Sequence, residues 1–165
     1  MIEIRPIQDA DYAPLLAIIN EVIERGDAFY FDVPFTPDGL RDYVRSFTAA
    51  FVAVLEGRVV GGYVLRPNHP GRGSHVANGT YMVDANTRGH GVGKLLGEHS
   101  LAEAKRLGFS AMQFNAVVST NTGAVELWRK LGFAIIGTVP QGFRHADGRF
   151  VNLHILHRDL GERGA

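Results

Sequence analysis

The chain contains no cysteine in its 165 residues. That excludes disulfides, thiolate metal ligands and a thiol nucleophile. It also lacks an excess of charge, since 17 lysines and arginines balance 17 aspartates and glutamates. Without a basic face there is no electrostatic footprint for nucleic acid or an anionic membrane surface, so neither is expected as a partner. No apolar run reaches the roughly 18 residues that a membrane span needs. The opening residues, Met1-Ile2-Glu3-Ile4-Arg5, alternate like a strand rather than forming a charged-then-apolar leader, so a cytoplasmic location is expected. Repeats, low-complexity tracts and linkers are missing as well. At 45% apolar composition the chain has the material for one core, and a single domain over residues 1–165 is the expectation.

What the chain does have is the run Arg88-Gly89-His90-Gly91-Val92-Gly93-Lys94. It follows a strand-like stretch and opens a helix-like one. The first N–H groups of a helix lack partners and the helix dipole adds partial positive charge, so a glycine turn there attracts phosphate. Three phosphate loops compete. A Walker loop needs Gly where Arg88 stands and Ser or Thr where Leu95 stands. A dinucleotide fingerprint needs Gly in place of Leu96, or of Lys94 in the register that begins at Gly89, and an acidic ribose ligand about 20 residues on that is not evident. The pattern R-x-x-G-x-G at a strand end is met by Arg88, Gly91 and Gly93.

Periodicity supplies the rest of the frame. Residues 2–7 read as a strand. Asp11 is the expected cap of a helix whose first turn tolerates Pro14 and whose stripe is Leu15, Ile18, Ile19, Val22 and Ile23. Thr36-Pro37 gives the cap and first turn of a second helix, to about residue 49. Strands are expected at 51–55 and 59–65, a loop at 67–73, and a strand at 75–83. A helix follows over 92–107 with stripe Leu95, Leu96, His99, Ala102 and Leu107, stopped by Gly108. A strand at 111–117, a helix at 121–131 ending at Gly132, and strands at 133–139 and 150–156 complete the order. It specifies an α/β or α+β domain, a mixed sheet with helices on both faces.

The block Asn121-Thr122-Gly123-Ala124-Val125-Glu126-Leu127-Trp128-Arg129-Lys130-Leu131-Gly132-Phe133 lies one helix and one strand after the glycine turn. Alone it reads as an amphipathic helix with Asn121 as N-cap. Together the two blocks resemble the GCN5-related N-acetyltransferase (GNAT) family over about residues 51–160, in the family's element order. The resemblance implies a mixed, mostly antiparallel sheet splayed between its fourth and fifth strands. Acetyl-CoA would lie in the splay as co-substrate, its pantetheine pairing with Tyr81 and Val83 and its pyrophosphate on the N–H groups of Gly89, His90, Gly91, Val92, Gly93 and Lys94, beside Arg88. A backbone N–H near Met82 or Val83 would polarise the thioester carbonyl. Many relatives place a tyrosine acid where this chain has Trp128, and an indole N–H is a donor but no usable acid. Asn121 is the candidate substitute, donating to the departing thiolate.

A narrower resemblance rests on residues 112–121, on Gly137-Thr138-Val139-Pro140 and on Phe143-Arg144-His145. It is to the fungal and bacterial N-acetyltransferases that act on proline analogues such as azetidine-2-carboxylate. It implies that Asn78 holds the substrate carboxylate, helped by backbone amides at Asn115 and Ala116, under a roof from residues 29–35 that includes Tyr30. Acetylation of phosphinothricin, methionine sulfoximine or peptide N-termini, or acyl-CoA binding without catalysis, are the alternatives. A homodimer through strands 133–156 is also implied. Among the seven histidines, His154 and His157 are three apart on a strand and face opposite ways, so no metal is expected. His75 and His145 are candidates to take the amine proton, His90 is expected near phosphate, and Asp84 is expected to be a turn carboxylate.

Overall fold

The computed structural model describes residues 1–161. Strands β1 (Ile2–Pro6), β2 (Ala49–Leu55), β3 (Arg58–Pro67), β4 (Val76–Val83), β5 (Ala111–Val118), β6 (Ala134–Arg144) and β7 (Phe150–Asp159) interleave with helices α1 (Tyr12–Arg25), α2 (Pro37–Arg45), α3 (Val92–Arg106) and α4 (Thr122–Lys130). The strands form one sheet in the order β1-β2-β3-β4-β5-β7-β6. Every neighbouring pair is antiparallel except β4 and β5, which run parallel and meet only at Val76 with Ala111 and Ala77 with Met112. Beyond those pairs the two strands diverge. The mixed, splayed sheet expected from the sequence is therefore present.

Strand alternation divides the interior in two. On one face Leu15, Ile18, Ile19 and Ile23 of α1, with Leu40 and Val44 of α2, pack on Val64 and Met82. On the other, Leu96, Leu101 and Ala104 of α3 and Trp128 of α4 pack on Tyr63, Leu65, Met112, Phe114 and Leu156. Helices α3 and α4 touch closely at Gly97, where a Cβ would stand 2.5 Å from Leu131 Cδ1 and 3.1 Å from Trp128 Cζ3.

Four local expectations are corrected. Asp11 holds the N-cap position of α1 but makes no side-chain cap hydrogen bond there. Its carboxylate instead pairs with both terminal guanidinium nitrogens of Arg5 at 2.7 and 2.9 Å and accepts the Gln8 N–H, and the Arg5 bonds hold its pKa below the ordinary carboxylate value. Helix α2 stops at Arg45, not near 49, because Ser46 closes its last turn on Asp42 and Tyr43 and Thr48 N–H already bonds to Leu65 in β3. On α3 the buried face is Val92, Leu96, Ser100, Glu103 and Ala104, so Leu95 and Ala102 face solvent. Strands β6 and β7 outrun the expected 139 and 156, since irregularities at Ile135/Gly137 and Val139/Phe143 break the alternation that would mark their length.

Candidate active site

The divergence of β4 from β5 opens a cavity of about 520 Å³. Facing strand edges present N–H and C=O groups that the sheet no longer satisfies, and such groups demand partners. Tyr81, Met82 and Val83 line one side and Phe114, Asn115, Ala116 and Val117 the other. Side chains here are largely structural. Tyr81 donates from its hydroxyl to Ser100 Oγ at 2.7 Å and packs 4.6 Å from Trp128, burial raising its pKa. Met82 is buried under α1. What these positions offer a ligand is backbone.

At one end lies the start of α3. Gly89 and Gly91 have φ of +84° and +75°, and Gly91 is the N-cap with no side-chain hydrogen bond. Glycine adopts that left-handed backbone without the steric cost of a Cβ. A Cβ at either position would meet nothing within 4 Å, so the turn is open on its outer side. Leu95 N–H bonds to Gly91, which leaves the N–H groups of Val92, Gly93 and Lys94 as the helix's orphan donors. Arg88 and Gly93 reach the cavity wall. One expectation changes here. His90 N–H is already bonded to Thr87 O at 3.2 Å, so it is no free phosphate donor. Val92 buries its side chain in the core and offers only its amide. Lys94 lies 3.7 Å from Glu98.

At the opposite end a set of amides converges. Asn78 Nδ2 donates to Asn68 Oδ1 at 3.1 Å, and Asn115 Nδ2 donates to the same oxygen at 2.7 Å. Gln113 Nε2 donates to Asn115 Oδ1 at 3.0 Å. Asn68 was missed from sequence; its position two residues past β3's Arg66, opposite the start of β4, was the available signal. Asn115 and Ala116 sit where β5 slips register against β7, between Phe114 opposite Leu156 and Val117 opposite His154. Two residues there face one, and such a bulge frees a backbone group from the ladder. Phe29 and Tyr30 wall this end and Phe47 adds a third ring. Asn20 fixes the roof by bonding both N–H and C=O of Phe35.

Between the ends stands Asn121. Its Oδ1 accepts the Ala124 N–H at 3.4 Å as the cap of α4, while its Nδ2 makes no hydrogen bond among the described residues. Asn121 lines the cavity, and its oxygen serves the helix. Trp128 is packed between Phe114 and Phe133. Neither His75 nor His145 lines the cavity. His75 sits where β4 and β5 are still paired, its carbonyl accepting from Ser110, and His145 faces Asp147 in the β6–β7 turn. Asp84 is a turn carboxylate, accepting from Asn86 N–H and Nδ2. Among the described residues no three His, Cys, Asp or Glu side chains cluster as metal ligands.

Comparison with known proteins meets this geometry. A family model for the acetyltransferase (GNAT) family matches residues 16–133. The chain belongs to that family and is an acetyltransferase by class. Among curated relatives, the N-acetyltransferase aca1 of Schizosaccharomyces pombe is 29% identical over 147 residues, covering 79% of this chain and 70% of the relative. A GCN5-related N-acetyltransferase structure from Kribbella flavida is 40% identical, covers 96% of this chain and 97% of its own, and superposes with a TM-score of 0.91. A phosphinothricin acetyltransferase from Sinorhizobium meliloti, solved with acetyl-CoA, shares the fold at a TM-score of 0.91 and 23% identity, over 98% of this chain and 89% of its own.

Proposed function

We propose that the protein transfers an acetyl group from acetyl-CoA to the amine of a small cyclic α-amino acid, such as a proline analogue, acting as one N-acetyltransferase domain in the cytoplasm. The observation that carries this reading is one continuous cavity, with orphan helix N–H groups at one end, unpaired strand edges along its length and an amide cluster at the other. The residues fit the co-substrate. Gly91, Val92, Gly93 and Lys94 would hold the diphosphate with Arg88, and the backbone of Tyr81 and Val83 would pair with the pantetheine as an added strand does. Trp128 and Leu127 would border the same groove.

Bound there, acetyl-CoA supplies a thioester carbonyl as electrophile. A backbone N–H near Met82 or Val83 would hold the carbonyl oxygen as charge builds on it. Asn121 Nδ2 would hydrogen-bond the departing sulfur. A thiol of pKa about 8.5 leaves as thiolate with little penalty near neutrality, so no strong acid is required at Trp128. Asn78 would hold the substrate carboxylate with the bulged backbone of Asn115 and Ala116, while the rings of Phe29 and Tyr30 cover the apolar ring of the acceptor. With no histidine in the lining and Asp84 engaged by Asn86, water would carry the amine proton out.

A thiol-release assay with acetyl-CoA and a panel of amino acids tests this. Turnover confined to cyclic or small α-amino acids is the expected outcome. Turnover only of phosphinothricin or methionine sulfoximine would move the chain to that substrate class, and no turnover of any α-amino acid would end the reading. A homodimer is part of the proposal, because edge strand β6 and its neighbour expose Ile135, Ile136, Val139 and Phe150. A monomeric mass by light scattering would remove that part.

A further inference from the structure

Arg66 has no carboxylate partner among the described residues. It lines the cavity, and its guanidinium lies over the Phe47 ring, 4.6 Å from the centroid. Strand register sets it opposite Asn78 across β3 and β4. Directly opposed residues project from the same face of a sheet with their Cβ atoms about 5 Å apart. Arg66 is therefore a fixed cation beside the amide cluster.

The other charges of the cavity are otherwise engaged. Arg88 belongs to the diphosphate end. Arg25, at the end of α1, has Asp27 at 3.6 Å and Glu21 at 3.7 Å. Asp84 is the one carboxylate in the described lining, and Asn86 occupies it. The amides alone are short of donors for a carboxylate. Asn115 is engaged at both its nitrogen and its oxygen, and Asn78 already gives one N–H to Asn68. A guanidinium supplies a planar fork of donors that matches a carboxylate edge to edge.

We propose that Arg66 is the specificity-determining residue of the acceptor site, its guanidinium receiving the carboxylate of the α-amino acid beside Asn78. This rests on the proposed amino-acid acetyltransferase function and adds the group that selects for the acid. The role carries a second benefit. A cation near the acceptor disfavours the ammonium form of the amine, and only the free amine has the lone pair that attacks.

The test compares wild type with Arg66→Gln and Arg66→Lys on matched acceptors, azetidine-2-carboxylate against its carboxamide and proline against prolinamide. Wild type should prefer the acids. Arg66→Gln should lower kcat/KM for the acids roughly 10- to 100-fold more than for the amides, the range expected when a charge-assisted hydrogen bond is lost. Arg66→Lys should restore part of that preference, and calorimetry should give one acetyl-CoA affinity for all three proteins. If wild type acetylates acid and amide alike, or Arg66→Gln weakens both equally, the assignment is overturned while the acetyltransferase reading stands. If wild type acetylates neither acid, the amino-acid reading falls and takes this one with it.

Discussion

The two ends of the cavity are built by different means. The α3 end is backbone: Gly89 and Gly91 in left-handed conformation, orphan amides behind them, and strand edges whose side chains are buried elsewhere. The Asn78 end is side chain: Asn68, Asn78, Asn115 and Arg66, drawn from β4, β5, the end of β3 and the residue that follows it, under rings from the segment after α1. A backbone site recognises what its ligands have in common. A side-chain site can be changed one residue at a time, and this is where one family can diverge in substrate.

The sharpest way to break the comparison is at Asn121, where the two ends meet. Asn121→Asp keeps an oxygen for the Ala124 N–H but removes the amide donor. Its kcat should fall about 100-fold or more, the scale on which single preorganised donors act, with little change in KM for acetyl-CoA. An unchanged kcat would take Asn121 out of the chemistry. Asn121→Ala should add a stability loss of about 1 kcal/mol from the missing cap, read from the urea midpoint.

At the backbone end, Gly91→Val forces a β-branched residue into a φ of +75°. Left-handed strain of about 1–2 kcal/mol should weaken acetyl-CoA binding about tenfold by calorimetry. The acceptor KM at saturating acetyl-CoA should stay put. At the side-chain end, Asn68→Ala should do the reverse. It frees Asn78 and Asn115 from their shared acceptor and should raise the acceptor KM about 2- to 10-fold, one ordinary hydrogen bond's worth, with acetyl-CoA affinity unchanged. Crossed effects in either variant would show that the ends are not separable.

The smallest effect is expected at His99, which belongs to neither end. It lies behind the sheet, its Nδ1 2.7 Å from Tyr63 Oη and its ring 4.8 Å from Phe51. Burial holds its pKa below the ordinary 6.5, against an upward pull from Glu103. Below pH 6.5 the unfolded chain therefore binds a proton that the folded one refuses. This contribution to stability is complete above pH 6.5 and is lost as the pH falls from there through the folded-state value. Thermal melts across that window should slope less in His99→Gln than in wild type, with both kinetic constants at neutral pH unmoved.

Legibility in the sequence followed the same division. Arg88-x-x-Gly91-x-Gly93 announced the backbone end because positive φ is a local demand that only a few residues meet. At the other end, Asn78, Asn115, Ala116 and Tyr30 were reached through a resemblance, and all four line the cavity. Asn68 and Arg66 were not reached, since residues 66 and 78 become neighbours only through the register of β3 on β4. His75 and His145 were drawn toward the site by their chemistry alone, and the fold puts them elsewhere. The α3 stripe was misjudged because a helix crowded on two sides, by the sheet and by α4 at Gly97, buries small and polar residues that hydrophobicity does not mark.

By itself the sequence determined the order of elements, the two-faced sheet and the glycine turn that opens α3, because backbone conformation and amphipathic period are local properties written in consecutive residues. Only the tertiary structure decided where β4 parts from β5 and where β5 bulges. It alone decided that the helix cap Asn121 also lines the cavity, and that Arg66 stands opposite Asn78. Those depend on strand register and on how far two parallel strands can diverge before their edges need another partner, and no short window of residues encodes either.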